Sequence, residues 1–270
     1  MEIEIYSDVI CPWCYIGTRR LTEALRSYDG EVTLRWRAYQ LDPSAPADGQ
    51  PLLPWLGARY GGEARARQMF GSAAAAGASA GITMNFESAL VANTFDAHRL
   101  IWFAGSPQAV PFGADADTQQ HVVEALHAAH FTHGQDIAAT DTLVQAAVSV
   151  GLDQARVEKL LASDEGVAEV RAELAEGREL GITSVPTFIF AGKYAVTGAQ
   201  DAATLSSVLD EVARREGIRP VLRTLVGSHA THDNRHPHPA TAGDTADPAT
   251  PRIPRPRTPD LDACTDDTCH

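Results

Sequence analysis

Cys11-Pro12-Trp13-Cys14 stands where a strand pattern ends and a helix pattern begins. Before it, residues 2–7 lie in an alternating run, Ile3-Glu4-Ile5-Tyr6-Ser7-Asp8, of the kind a half-buried strand shows. After it, Tyr15 to Leu25 is helical in period and puts Ile16, Leu21 and Leu25 on a face available for burial. The start of a helix presents unpaired N–H groups and a partial positive charge, which favour a thiolate. Cys11 falls near the cap, Pro12 at the first helical position, where its missing N–H costs nothing, and Cys14 one turn on. This spacing predicts an exposed, nucleophilic Cys11 and a Cys14 placed to attack a mixed disulfide and release it. The competing use of such a pair is half of a zinc site, which needs a second pair or histidines on an ordered loop. The only other cysteines, Cys264 and Cys269, lie in a tail, so the redox reading is preferred and no metal is expected.

The chain then continues in a definite order. Asp29-Gly30 is a stop signal, and Val32 to Tyr39 alternates as a second strand, parallel to the first. A stretch with Pro43, Pro46, Pro51 and Pro54 reads as a loop. From about Gly62 to Gly181 the pattern is helical, with five or six helices and no intervening strand. Thr187-Phe188-Ile189-Phe190, the turn Ala191-Gly192 and Lys193 to Val196 form a hairpin, and Asp201 to Glu216 is a last amphipathic helix. The organisation is therefore α/β: 1–61 and 182–216 build one small four-stranded sheet with its helices (βαβ…ββα), and 62–181 is an inserted all-helical domain. Residues 217–270 hold 8 of the 16 prolines and few large apolar side chains, and are expected to be an extended tail that cannot bury enough surface to offset ordering entropy.

The formal net charge of −13 argues against a nucleic-acid partner, which needs a basic surface. No apolar run is long enough to span a membrane, and Glu2 leads directly into strand residues without a basic, apolar leader, so no membrane partner is expected and a cytoplasmic location is. In a reducing compartment, paired cysteines are more often catalytic or redox-sensing than structural.

Val185-Pro186 precedes the third strand and reads as a cis peptide rather than a simple boundary marker. Ser7 to Gly17, Asn93 to Arg99, Phe131 to Ile137, Gly181 to Thr187 and Gly198-Ala199-Gln200 together resemble, in matching order over about residues 1–216, the FrnE-like branch of the DsbA superfamily of thioredoxin-fold oxidoreductases. The resemblance implies the thioredoxin fold with its helical insertion, a cis-proline beside the cysteines, and thiol–disulfide chemistry on protein substrates at Cys11 and Cys14. In that setting Trp13, Val185 and Pro186 are the substrate-docking residues, Val185 pairing its backbone with an extended substrate strand. No cofactor is implied beyond the redox-active pair, although relatives in the superfamily use glutathione. Those glutathione-dependent isomerases and transferases, acting on small aromatic molecules, are an alternative reading, but they typically carry serine where this chain has Cys11.

Cys264 and Cys269 form a CX4C pair that either relays electrons to Cys11–Cys14 or idles in the tail. With His229, His232, His236 and His238 they suggest a further alternative, a redox-sensing or metal-binding module. His127 and His130 share one helical face and read as solvated surface residues rather than ligands. Asp96 and His98 fit an acid–base role and a capping or packing role equally well, and Asp8, three residues before Cys11, either destabilises the thiolate or helps deprotonate Cys14.

Overall fold

A computed structural model describes residues 1–218. Its sheet has four strands in the order β2-β1-β5-β6, formed by β1 (Glu2–Ser7), β2 (Thr33–Ala38), β5 (Thr187–Phe190) and β6 (Tyr194–Thr197). β1 is parallel to β2, with Ile5 opposite Trp36, and antiparallel to β5, with Ile5 opposite Phe188. β5 and β6 close the expected hairpin. Alternation decides the faces. Ile3, Ile5, Phe188 and Phe190 are buried together with Leu21 of α1 (Pro12–Arg26) and with Leu205 and Leu209 of α9 (Ala202–Glu216). Tyr6 points to the other side, where α8 (Val167–Glu179) lies so close that a Cβ on Gly177 would stand 3.0 Å from the Tyr6 ring.

Two outward N–H groups of the edge strand β2 are taken up by side chains. Trp36 N–H donates to Gln119 Oε1 at 3.1 Å, and Ala38 N–H donates to Glu173 Oε2 at 3.0 Å. Arg37 joins Glu4 at 2.6 Å and Glu173 at 3.3 Å, tying α8 across the strand. Covering an edge with side chains from neighbouring helices is one of the ways proteins prevent strand addition.

The helical block differs from the pattern-based expectation in two places. It begins earlier, with α2 (Leu52–Tyr60) inside the proline-rich stretch and α3 (Glu63–Ser79) after it. Pro54 sits in the first turn of α2, where the missing N–H and the ring are both tolerated, so this proline does not prevent a helix. The block also contains a strand. β4 (Leu90–Val91) pairs with β3 (Gln50–Pro51) in a two-residue ladder too short for alternation to announce it. The remaining helices are α4 (Phe95–Ala104), α5 (Thr118–His127), α6 (Thr140–Ser149), α7 (Gln154–Leu161) and α8, with a 3₁₀ turn at Pro107–Phe112 and a π turn at Ala128–Thr132 that extends α5. All described residues belong to one compact unit, with α4 and α5 sharing the apolar core that reaches the sheet. Residues 219–270, and with them Cys264, Cys269 and the tail histidines, lie outside the described residues.

Candidate active site

The cysteine pair sits at the junction that its sequence position implies. Cys11 is the N-cap of α1 with extended backbone (φ −92°, ψ 112°), Pro12 opens the helix, and both Cys14 N–H (3.1 Å) and Tyr15 N–H (3.3 Å) donate to the Cys11 carbonyl. Both cysteines are free thiols. The expectation of an exposed Cys11 is corrected, since the residue is only 4% exposed. The loop before β5 folds over it, and Cys11, Cys14, Tyr6 and Val185 form one small apolar cluster with Tyr39 and Ile182 packed against it. Trp13, by contrast, stands 38% exposed beside the pair.

The Val185–Pro186 peptide is cis. The Cys11 S–H donates to the Val185 carbonyl at 3.6 Å, within the longer reach of a sulfur donor. The Val185 N–H donates to no backbone oxygen among the described residues. Glycine lets this loop and α1 meet. A Cβ on Gly17 would lie 2.9 Å from Pro186 Cγ and 3.3 Å from Phe188 Cζ, and both of those side chains are buried and rigid. Gly17→Ala is therefore expected to lower stability by about 1–2 kcal/mol in chemical denaturation despite alanine's better helix propensity. It should also lower thiol–disulfide turnover by displacing Pro186 from Cys11.

Cys14 is fully buried, and burial pushes its thiol well above the ordinary range, with the neighbouring Cys11 sulfur adding to the effect. Backbone and side-chain donors at Asp8 and Ser7 act in the opposite direction. A thiol held in this way favours its protonated form.

Behind the pair lies a buried polar cluster, a feature the sequence reading left undecided. Asp8 is 0% exposed. One carboxylate oxygen accepts the Leu41 N–H at 2.7 Å, and the other is 3.4 Å from His98 Nε2. His98 Nε2 is also 2.9 Å from the Tyr39 carbonyl, so that nitrogen carries the proton. The Asp8 carbonyl in turn accepts the Cys11 N–H at 3.0 Å and lies 3.4 Å from His127 Nε2. Asp8 thus fixes the strand-to-helix junction against the loop after β2. Asp96 has a structural role, since it pairs with Arg99 at 2.8 Å, and buried Arg99 also donates to the carbonyls of Leu160, Ser163 and Glu165.

His127 and His130 contradict their reading as solvated residues, being 0% and 1% exposed. His127 stacks on Tyr15 with ring centroids 5.0 Å apart, and His130 meets the Phe131 ring edge-on at 4.4 Å. Burial lowers their pKa values, to about 3 for His127 and about 4 for His130, so both are neutral at pH 7. The signal was present in the sequence. Val123, Leu126, His127 and His130 recur at i, i+3, i+4 and i+7, the stripe that faces a core. Among the described residues no three His, Cys, Asp or Glu side chains are arranged to hold a metal ion.

A cleft of about 530 Å³ opens beside the cysteines. Ile10 and Pro12 form one wall, α2 and α3 supply Trp55, Arg59 and Phe70, and His130 and Phe131 contribute from the π turn. Nothing in the sequence pattern connected α2 with the CPWC corner.

A βαβ…ββα sheet with a cysteine pair at the start of its first helix, and a cis-proline loop across from it, defines the thioredoxin fold. A family model described as the DsbA-like thioredoxin domain matches residues 2–210, and the chain belongs to that family, whose members are oxidoreductases and isomerases. A solved structure from Streptomyces coelicolor, a probable DsbA oxidoreductase (SCO1869), is 32% identical and superposes with a TM-score of 0.70 over 83% of this chain and 93% of its own. The uncharacterized protein YwbO of Bacillus subtilis is 25% identical over 217 residues, 80% of this chain and 99% of its own. The cytosolic disulfide reductase DsbM of Pseudomonas aeruginosa, solved with GSH, shares the fold at 17% identity, with a TM-score of 0.56 over 79% of this chain and all of its own. Among the described residues no helix is long and apolar enough to cross a membrane.

Proposed function

We propose that this chain is a dithiol–disulfide oxidoreductase acting on protein disulfides in the cytoplasm, in the manner its resemblance to the FrnE-like branch implies. The observation that carries this reading is the asymmetry of the two sulfurs. Cys11 caps α1 against the Val185 carbonyl, while Cys14 is buried behind it with its thiol pushed well up by desolvation. In the reducing direction the Cys11 thiolate attacks one sulfur of a substrate disulfide, and the other leaves as a thiolate that takes a proton from water. Cys14 then loses its proton and attacks the Cys11 sulfur. The Cys11–Cys14 disulfide forms, the second substrate thiolate is released, and two electrons have passed to the substrate. The oxidising direction is the reverse, and reduction potential selects between them, ~30 mV being worth ~1.4 kcal/mol.

Val185 and Pro186 support strand-like docking, and Trp13 supplies an exposed apolar rim. The test is catalysed reduction of insulin disulfides by dithiothreitol, together with catalysed oxidation of a reduced, unfolded protein. Acceleration of either supports the proposal, and acceleration of neither rejects it.

The alternative is a glutathione-dependent isomerase or transferase. The cleft beside Pro12 and the fold shared with a GSH-bound structure favour it, and a thiol rather than a hydroxyl at position 11 disfavours it. Retained activity in Cys11→Ser with saturable glutathione binding would decide for that alternative. The redox-sensing or metal-binding reading rests on Cys264, Cys269 and the tail histidines. Stoichiometric zinc lost on removing residues 217–270 would support it.

A further inference from the structure

The two edges of the sheet differ. At β2 the outward Trp36 and Ala38 N–H groups are held by Gln119 and Glu173. β6 is the opposite edge. The Ala191 N–H donates to the Glu2 carbonyl and the Gly198 N–H to that of Pro186. Residues 191, 189 and 187 therefore bond toward β1, and residues 190, 188 and 186 toward β6. Phe188 and Val196 form a bonded pair in this register, which turns the Ala195 N–H and carbonyl outward. Ala195 is exposed, and among the described residues no side chain takes either group. The Thr197 carbonyl, by contrast, accepts from Gln200 Nε2 at 2.8 Å. Beside this edge, on the α9 face, lies a groove of about 370 Å³ lined by Tyr194 and Val196 of the strand and by Ser207, Val208, Glu211 and Arg215 of the helix. An open strand edge next to a groove for alternate side chains is the arrangement that takes up a further strand.

We propose that the occupant is the β6 edge of a second copy of this chain, paired antiparallel about Ala195 on a two-fold axis normal to the sheet. The strand is self-complementary in this register. When Ala195 of each copy exchanges both backbone bonds with Ala195 of the other, Tyr194 of each falls opposite Val196 of the other on the groove face. An aromatic side chain opposite a β-branched one is a favourable cross-strand pair. Charge is complementary as well. The same axis sets the two α9 helices antiparallel on one face, so exposed Asp201 at the start of each approaches exposed Arg214 and Arg215 at the end of the other. The chain's own continuation is a poor occupant, on grounds of handedness. β6 is parallel to β1, and α9 packs on the same face as α1. The β1-α1-β2 crossover moves from β1 outward to β2, and a strand outside β6 directly after α9 would move the opposite way across the sheet. That is the left-handed crossover, which sheets almost never contain. The proposal does not rest on the redox reading, because the two-fold axis puts the two cysteine pairs at opposite ends of the joined sheet, away from the junction.

The experiment is sedimentation of the full-length protein across a wide range of concentration, together with hydrogen–deuterium exchange of the peptide that carries Ala195 and Thr197. Dithiothreitol is present throughout, so that no intermolecular disulfide contributes. Association to a dimer is expected, with exchange in that peptide slowing as the dimer forms. Ala195→Pro removes the outward N–H at an edge position that tolerates proline, and symmetry deletes both bonds at once, so the dimer should weaken by about thirtyfold or more. Ser207→Glu, at an exposed position, sets like charges near one another across the axis and should weaken the dimer by about tenfold at low salt. At a concentration where wild type is monomeric, Ser207→Glu should unfold in urea at the wild-type midpoint, which separates a lost interface from a lost fold. A monomer at every concentration would overturn the proposal, as would a dimer indifferent to both substitutions. Slow exchange at Ala195 in the dilute monomer would also overturn it and mean that the edge is covered from within the chain.

Discussion

Cys11→Ser is expected to lower insulin-disulfide reduction by three orders of magnitude or more, roughly 4 kcal/mol of barrier, while leaving the fold intact. The thiolate is the nucleophile, and a hydroxyl at the same cap cannot replace it at neutral pH. Cys14→Ser should fail in a different way. The first exchange needs only Cys11, so the variant should form a mixed disulfide and then stall because nothing attacks it from behind. In the proposed mechanism Cys14 completes the exchange, and the elevation of its thiol by burial and by Cys11 fits a group that acts second. Non-reducing electrophoresis of Cys14→Ser should show adducts that dithiothreitol dissolves, and mass spectrometry should place them on Cys11. Adducts on Cys14 in a Cys11→Ser background, at similar yield, would invert the assignment. Full activity in Cys11→Ser would end the dithiol mechanism.

The parts of this architecture legible in the chain were those with a period. β1, β2 and the β5–β6 hairpin alternate, α1 and α9 carry apolar stripes, and Asp201 announces the last helix, whose Thr204 N–H it accepts at 2.7 Å. The cysteine pair was legible because strand, cap and Pro12 coincide. Features built from long-range contacts were not. The burial of Cys11 comes from Val185, 174 residues away, and the two-residue ladder of β3 and β4 is too short to show a pattern. Pro54 masked α2 because proline signals loops on average but is tolerated in a first turn. His127 and His130 were misread through residue type. Histidine suggests solvent, whereas their positions on the stripe of Val123 and Leu126 already placed them inside. The aromatic cleft needed α2, α3 and the π turn to be brought to Pro12, which only the tertiary fold does.

Those two histidines should dominate the response to acid. Their folded-state pKa values, about 3 and about 4, lie below the ~6.5 of an unfolded chain, so between these limits the unfolded state binds protons that the folded state refuses. Stability therefore rises with pH through this window, and it is progressively lost as pH falls below about 6.5. With both groups contributing, the slope approaches roughly 2.7 kcal/mol per pH unit, large against a typical total of about 5–15 kcal/mol. Other groups can be separated from them. Glu173, raised by burial, takes up a proton preferentially in the folded state and opposes the loss. Asp115, Asp201, Glu211 and Glu216 are lowered by donors or cationic partners and exposed, so their contribution disappears only below about pH 4.5. The interval between pH 6.5 and 4.5 thus reports the two imidazoles acting against Glu173. Urea denaturation across it should show a falling midpoint at nearly constant m-value. His127→Phe, which keeps the stack on Tyr15, should roughly halve the slope in that interval. A midpoint that stays level from pH 6.5 to 4.5 in the wild-type protein would mean that these rings take up protons without opening the fold.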